Sequence, residues 1–146
     1  MRIGFTGTLE GLTKSQASSF LELVSILNIS EFEHGDAIGA DQESHNIILD
    51  NKLLNSEKIF KRPCTISNKR AFTKEGIILE NPIAPLKRNH KIVDDVDILI
   101  ACPKGFEEEL RSGTWATIRY ANKIKKEVYI IFPDGSISKN AEIKGV

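Results

Sequence analysis

Short apolar runs alternate along this chain with longer stretches whose apolar positions recur every third or fourth residue. That is the pattern of a parallel sheet wrapped by helices. The first run is Arg2–Thr6, followed by Gly7 and a polar loop to Leu12. Thr13-Lys14-Ser15-Gln16 fits a capping box, and Ala17, Phe20, Leu21, Val24 and Leu27 follow at helical spacing until Asn28, which is suited to end the helix. A second run, Glu31–His34, leads through Gly35-Asp36-Ala37-Ile38-Gly39-Ala40-Asp41 into a helix reaching about Leu54, with Ile47, Ile48 and Leu54 facing inward. Lys58–Lys61 is a third strand, stopped by Pro63. Cys64–Pro85 is polar and carries Pro82 and Pro85, so it reads as a long loop with room for one short element. Pro85 suits the first turn of a helix to Val93. Asp97–Ala101 is a buried strand, Thr114 to about Lys125 a helix, and Val128–Phe132 a last strand ended by Pro133-Asp134-Gly135. The tail from about residue 134 is expected to be peripheral.

The predicted fold class is therefore α/β: a single Rossmann-like domain over 1–146, with about five parallel strands flanked by helices and joined by right-handed crossovers. In strand order 3-2-1-4-5 the loops after the first and fourth strands flank the point where the winding reverses. Such sheets bind ligands there, beyond the carboxyl ends of the strands.

The loops at that edge carry the candidate chemistry. In Thr6-Gly7-Thr8, a glycine lets backbone approach a ligand and hydroxyls donate to phosphate oxygens; a tight turn alone would account for it equally. In the second loop, Gly35 and Gly39 suit an anion cradle at a helix start. Asp41 suits the helix N-cap and Asp36 suits acceptance from ribose hydroxyls, although both aspartates could simply organise the turn. Asp41 and His45 lie one turn apart, but two ligands without a third give no metal site, and none is expected. In Arg111-Ser112-Gly113-Thr114-Trp115, free amides, two hydroxyls and the helix dipole meet a forked guanidinium, making this the best phosphate site in the chain. Trp115 can stack on a base or pack in a core or interface, and Trp115 with Arg119 forms a second helix stripe suited to a subunit contact. Glu107-Glu108-Glu109 reads as a solvated loop before it reads as acid–base machinery. Lys69-Arg70 and Lys87-Arg88 are bases able to meet phosphate from the side.

Composition narrows the partners. Twenty basic and twenty acidic side chains cancel, and aromatics make up only 7% of the chain, so no overall field favours nucleic acid or an anionic membrane. No apolar run approaches the roughly 18 residues of a membrane helix, and no signal-peptide core follows Met1. A cytoplasmic location is expected. Cys64 and Cys102 form no zinc or redox spacing and read as reduced thiols.

Taken in order, Gly4-Phe5-Thr6-Gly7-Thr8, His34–Asp41, Arg88-Asn89, Asp97–Ala101 and Ser112–Thr117 resemble the SLOG superfamily. This is the Rossmann-like group that includes DprA/Smf and the LOG proteins, and the chain looks closest to its small YspA/YpsA-related branch. The resemblance runs from Gly4 to about Pro133. It implies a nucleotide or nucleotide-derived ligand, such as an ADP-ribose-type or cyclic signal, held by Thr6, Gly7, Thr8, Gly35, Asp36, Gly39, Asp41, Arg88, Asn89, Arg111, Ser112, Gly113 and Thr114. It also implies a homo-oligomer; no cofactor is expected. LOG hydrolases carry PGGxGTxxE; here Gly113-Thr114 matches, but Thr117 stands where the glutamate would be. A binding module is therefore expected, either a sensor or a sequestering sponge of the sort phages raise against nucleotide-based immunity. The alternatives are an N-glycosidase acting on nucleoside monophosphates, with Asp36 or Glu108 as substitute carboxylate, and a DprA-like DNA-associated protein.

Overall fold

The computed structural model describes residues 1–140. Its elements in chain order are β1 (Arg2–Gly7), α1 (Lys14–Ile26), β2 (Glu31–His34), α2 (Ala40–Asp50), β3 (Ile59–Lys61), β4 (Ile77–Ile78), α3 (Pro85–Asp95), β5 (Ile98–Cys102), α4 (Gly113–Lys123), β6 (Glu127–Ile131) and β7 (Ile137–Lys139). One seven-stranded sheet runs β4-β3-β2-β1-β5-β6-β7. All neighbours are parallel except β6 and β7, which are antiparallel. The five strands expected from the sequence form its centre in the order 3-2-1-4-5. The two short edge strands are additions. β4 lies in the stretch expected to be mostly loop, and β7 in the tail expected to be peripheral. The helix expected to reach Leu54 ends at Asp50.

Period-two alternation sends the two faces of each central strand to different helices. Ile3, Phe5, Phe32, Ile100 and Cys102 pack with Phe20, Leu23 and Val24 of α1 and with Ile48 of α2. The Phe5 and Phe20 rings meet edge to face, centroids 5.4 Å apart. On the other face Leu99, Ala101, Val128 and Ile130 pack with Val93 of α3 and with Trp115, Ile118 and Ala121 of α4. Trp115 therefore belongs to the core rather than to an exposed stacking platform. Gly4 points to the α3 side, where a Cβ would stand 2.9 Å from methyls of Ile92 and Val96, so this glycine sets how closely α3 approaches.

The capping box at the start of α1 is formed as expected: Thr13 Oγ1 accepts from Gln16 N at 3.0 Å, and Gln16 Oε1 accepts from Thr13 N at 3.0 Å. The buried Gln16 amide does more than cap. Its Nε2 donates to Pro103 O (2.8 Å) and Ile131 O (3.0 Å), tying α1 to the carboxyl ends of β5 and β6. Asn28, just past α1, takes a left-handed φ of 54°.

β1 and β5 run in register from Ile3↔Ile98 to Gly7↔Cys102, so their carboxyl ends stand abreast. Thr8 N extends the pairing by donating to Cys102 O at 3.1 Å. Beyond this point the chain leaves β1 for α1 on one face and leaves β5 for α4 on the other. This is the winding reversal.

Candidate functional site

A cavity of about 480 Å³ opens at the reversal, a volume in the range of small-molecule sites. Thr6 and Gly7 from β1 with Thr8 just past it, Asp41 from α2, Arg88 and Asn89 from α3, and Arg111 and Ser112 leading into Gly113 and Thr114 of α4 all line it. The register just described brings the first and last groups together; α3 lends its pair because the missing Cβ of Gly4 lets it sit against β1.

At α4, Ser112 is the N-cap, its Oγ accepting from Trp115 N at 3.2 Å. The amides of Gly113 and Thr114 bond to no protein group among the described residues. They carry the positive end of the helix dipole toward the cavity. A Cβ added to Gly113 would meet nothing within 4 Å, so the space before these amides is open. The hydroxyls of Thr6 and Thr114 are likewise without protein partners among the described residues, although both residues are buried.

Arg88 is buried against backbone oxygens. Its Nη1 donates to Gly35 O and to Arg62 O (3.1 Å), and its Nε donates to Asn89 Oδ1 at 2.6 Å. Gly35 is glycine because this guanidinium occupies the place of a Cβ. Asp41 is not the N-cap expected from the sequence. Gly39 takes that position at φ 82°, packed against the backbone of Thr8 and Leu9. Asp41 lies in the first turn of α2, and its Oδ2 accepts from Gly35 N (3.1 Å) and Ala37 N (3.2 Å). Burial lifts its carboxyl to about 6; Arg88 and the amides of Ala37 and Gly35 pull it back, and Asp36 adds to the rise.

Gly35, Asp36 and Gly39, expected at the ligand, are absent from the cavity wall. Asp36 turns away at φ 52°. Its Oδ1 accepts from Thr73 N (3.1 Å) and Thr73 Oγ1 (2.6 Å), and its carbonyl accepts from Ala71 N (2.7 Å). Lys61 Nζ grips the same threonine carbonyl at 2.6 Å. Asp36 thus pins the 64–85 segment rather than facing the ligand space. Through Cys64, Lys69 and Pro85 that segment supplies one wall of the cavity. Glu108 is also off the wall, paired with Arg119 Nη1 at 2.7 Å. Arg119, placed by sequence on a stripe suited to a subunit contact, holds the loop carbonyls of Glu109 and Leu110.

Leu9, Glu10, Ala37, Leu86, Lys104 and Glu109 complete the lining without having been singled out as ligand-binding positions. No local signal marked them, because they reach the cavity only through the tertiary placement of loops and of the first turn of α3. Behind the second loop lies a chain of neutral imidazoles. Asp36 N donates to His34 Nδ1 (2.9 Å), so His34 Nε2 carries the proton and donates to His45 Nδ1 (2.9 Å), leaving His45 Nε2–H toward Glu75 at 3.6 Å. Burial is the main force holding both rings below the ordinary histidine range. His45, Lys61 and Arg88 reinforce it at His34, while Glu75 partly offsets it at His45.

Comparison with known proteins places the fold. The chain shares its architecture with a protein that binds a cofactor. That structure, the molybdenum cofactor binding protein from the phototrophic bacterium Rippkaea orientalis, superposes with a TM-score of 0.65 over 90% of this chain and 76% of its own, at 18% identity. No family model and no curated protein matches the sequence. Identity at this level speaks to the fold alone. Among the described residues no helix is long and apolar enough to cross a membrane.

Proposed function

We propose that this chain is a SLOG-type binding protein for a phosphate-bearing, nucleotide-like small molecule, held at the carboxyl ends of β1 and β5. The observation that carries the reading is the convergence on one cavity of the unpaired Gly113 and Thr114 amides, the open space before them, and the Arg111 and Arg88 guanidiniums. Backbone donors at a helix start with a forked cation such as Arg111 are the chemistry that holds a phosphate; Arg88, with only Nη2 free of protein partners, adds positive charge beside it. The shared fold with a cofactor-binding protein supports a small-molecule role.

Binding without turnover is favoured by Thr117. Where a LOG hydrolase carries its glutamate, this buried threonine spends its hydroxyl on Gly113 O at 2.8 Å. The substitute carboxylates weighed from the sequence, Asp36 and Glu108, are committed to Thr73 and Arg119. A sensor or a sequestering sponge in the cytoplasm fits this arrangement.

The test is thermal denaturation and titration calorimetry with inorganic phosphate, nucleoside monophosphates, ADP-ribose, its cyclic isomers and the molybdenum cofactor. A true ligand at a hundredfold excess over its Kd raises stability by about 2.7 kcal/mol. A flat response to every member sinks the proposal, and release of free base from a bound nucleotide would move the reading to hydrolysis.

A further inference from the structure

Three polar side chains on the cavity wall are each more than nine-tenths buried yet hold an atom without a protein partner. Asp41, Arg88 and Asn89 are 5%, 6% and 9% exposed. Asp41 uses only Oδ2 on the loop amides, Arg88 uses Nε and Nη1, and Asn89 uses Oδ1. Asp41 Oδ1, Arg88 Nη2 and Asn89 Nδ2 therefore bond to no protein group among the described residues. None of the three is sealed from solvent-sized space, since among the described residues the fully buried unpartnered side-chain atoms belong to His45, Arg70 and Trp115. Each of the three residues lines the cavity, so that is where these atoms are free.

The arrangement is unusual in one respect. Arg88 acts electrostatically on Asp41, yet the two form no ion pair; each is held by backbone instead. A buried carboxylate and a buried guanidinium kept apart leave an acceptor on one side and donors on the other. A group that both donates and accepts satisfies both. A hydroxyl does this, whereas a second phosphate would meet Asp41 with like charge.

The geometry points to a ligand class for this cavity: a phosphate ester that also carries a sugar-type hydroxyl, the hydroxyl donating to Asp41 Oδ1 and accepting from Arg88 Nη2 or Asn89 Nδ2. This rests on the phosphate site proposed above and deepens it by assigning a hydroxyl-reading subsite to Asp41, with Arg88 and Asn89 opposite it. Asp41 thereby takes the hydroxyl-reading role that sequence gave to Asp36. Oδ2 fixes the carboxylate against the loop, so Oδ1 is presented without further ordering.

The experiment is calorimetric titration of inorganic phosphate, ribose 5-phosphate and n-butyl phosphate into the wild-type chain and Asp41→Asn. In Asp41→Asn the carbonyl oxygen keeps the loop amides while an NH₂ donor replaces Oδ1. Wild type is expected to prefer ribose 5-phosphate over butyl phosphate by about tenfold or more, as hydrogen bonds to a charged group allow. In Asp41→Asn that ratio is expected to collapse to within about threefold of one on the same scale, with inorganic phosphate bound as well as or better than before. A wild-type chain that binds phosphate esters without this preference overturns the hydroxyl subsite alone. So does an Asp41→Asn chain of native circular dichroism that keeps the preference. A wild-type chain that binds none of the three overturns the phosphate site as well. Should Asp41→Asn not fold, carboxyl 13C NMR of the wild-type chain reads the same contact: the Asp41 carboxyl resonance is expected to move with ribose 5-phosphate and not with n-butyl phosphate, and equal shifts with the two overturn the hydroxyl subsite.

Discussion

Gly113 and Gly7 line the same cavity, and alanine at the two positions is expected to have opposite consequences. At Gly113 a Cβ meets nothing within 4 Å, and the residue opens α4. Alanine there removes unfolded-state freedom and improves helix propensity, a gain of about 0.5 kcal/mol, less than a helix interior would give. The same methyl stands beside the unpaired amides, where a phosphate oxygen must come within about 2.9 Å of nitrogen. Losing one or two charge-assisted bonds weakens a bound phosphate by about 2–3 kcal/mol, or about 30- to 150-fold. At Gly7 a Cβ would stand 2.5 Å from the Ala40 Cβ and 3.1 Å from the Phe5 ring. The Ala40 methyl is fixed to backbone and cannot swing away, so overpacking costs about 1–3 kcal/mol, or about 2–4 °C in Tm for each kcal/mol. Urea denaturation followed by circular dichroism reads the stabilities, and calorimetry with AMP reads the affinities. A Gly113→Ala chain that is as stable as wild type and binds AMP unchanged would refute the assignment of these amides to the ligand.

Three further outcomes follow from the residues behind the wall. Asp36→Ala is expected to lose about 1–3 kcal/mol, because it leaves the Thr73 amide without its acceptor, and to speed hydrogen exchange there; unchanged exchange at Thr73 would remove the pinning role. Both buried imidazoles have folded pKa values below their unfolded ones, so their stabilisation is complete above about pH 6.5 and is lost as pH falls, because only the unfolded chain takes the protons. His45→Asn keeps an acceptor for His34 Nε2 and removes one titration. Below about pH 6.5 wild type is expected to lose stability relative to it by up to about 1.4 kcal/mol per pH unit, in paired urea melts. Asp41 and Glu33, both raised by burial and titrating with the opposite sign, are common to the two chains and cancel in the difference. Gln16→Leu is expected to cost about 2–3 kcal/mol by stranding the carbonyls of Pro103 and Ile131; a stability loss under 0.5 kcal/mol on this scale would show that water replaces the amide.

The central sheet was legible because its signals are local and repeated. Short apolar runs such as Ile98–Cys102 fall between stretches of helical spacing, and the Thr13–Gln16 box needs only its own four positions. β4 was not legible: both of its isoleucines are exposed, so no burial pattern marked it. The cavity was legible where it follows strand ends, at Thr6–Thr8 and Arg111–Thr114. The exchange of roles between Asp36 and Asp41 was not. Spacing places both at the loop, but which carboxylate faces inward depends on the left-handed turn at Asp36 and on Thr73, which lies 37 positions away. Lys69 was seen only as one base among several, because the hydrogen bond from Ile38 N to Lys69 O that brings it to the wall crosses between segments.

Arg88 reaches from α3 to the carbonyl of Gly35, at the end of β2, and to that of Arg62, just past β3. Three elements are thereby clamped around the cavity by one cation that no ligand has to recruit. A wall fixed in advance loses little conformational entropy when it is filled, and it imposes no slow closing step on the encounter. Association should then be a single phase with a rate proportional to ligand concentration, so ligands of this cavity would differ in how long they stay rather than in how fast they arrive.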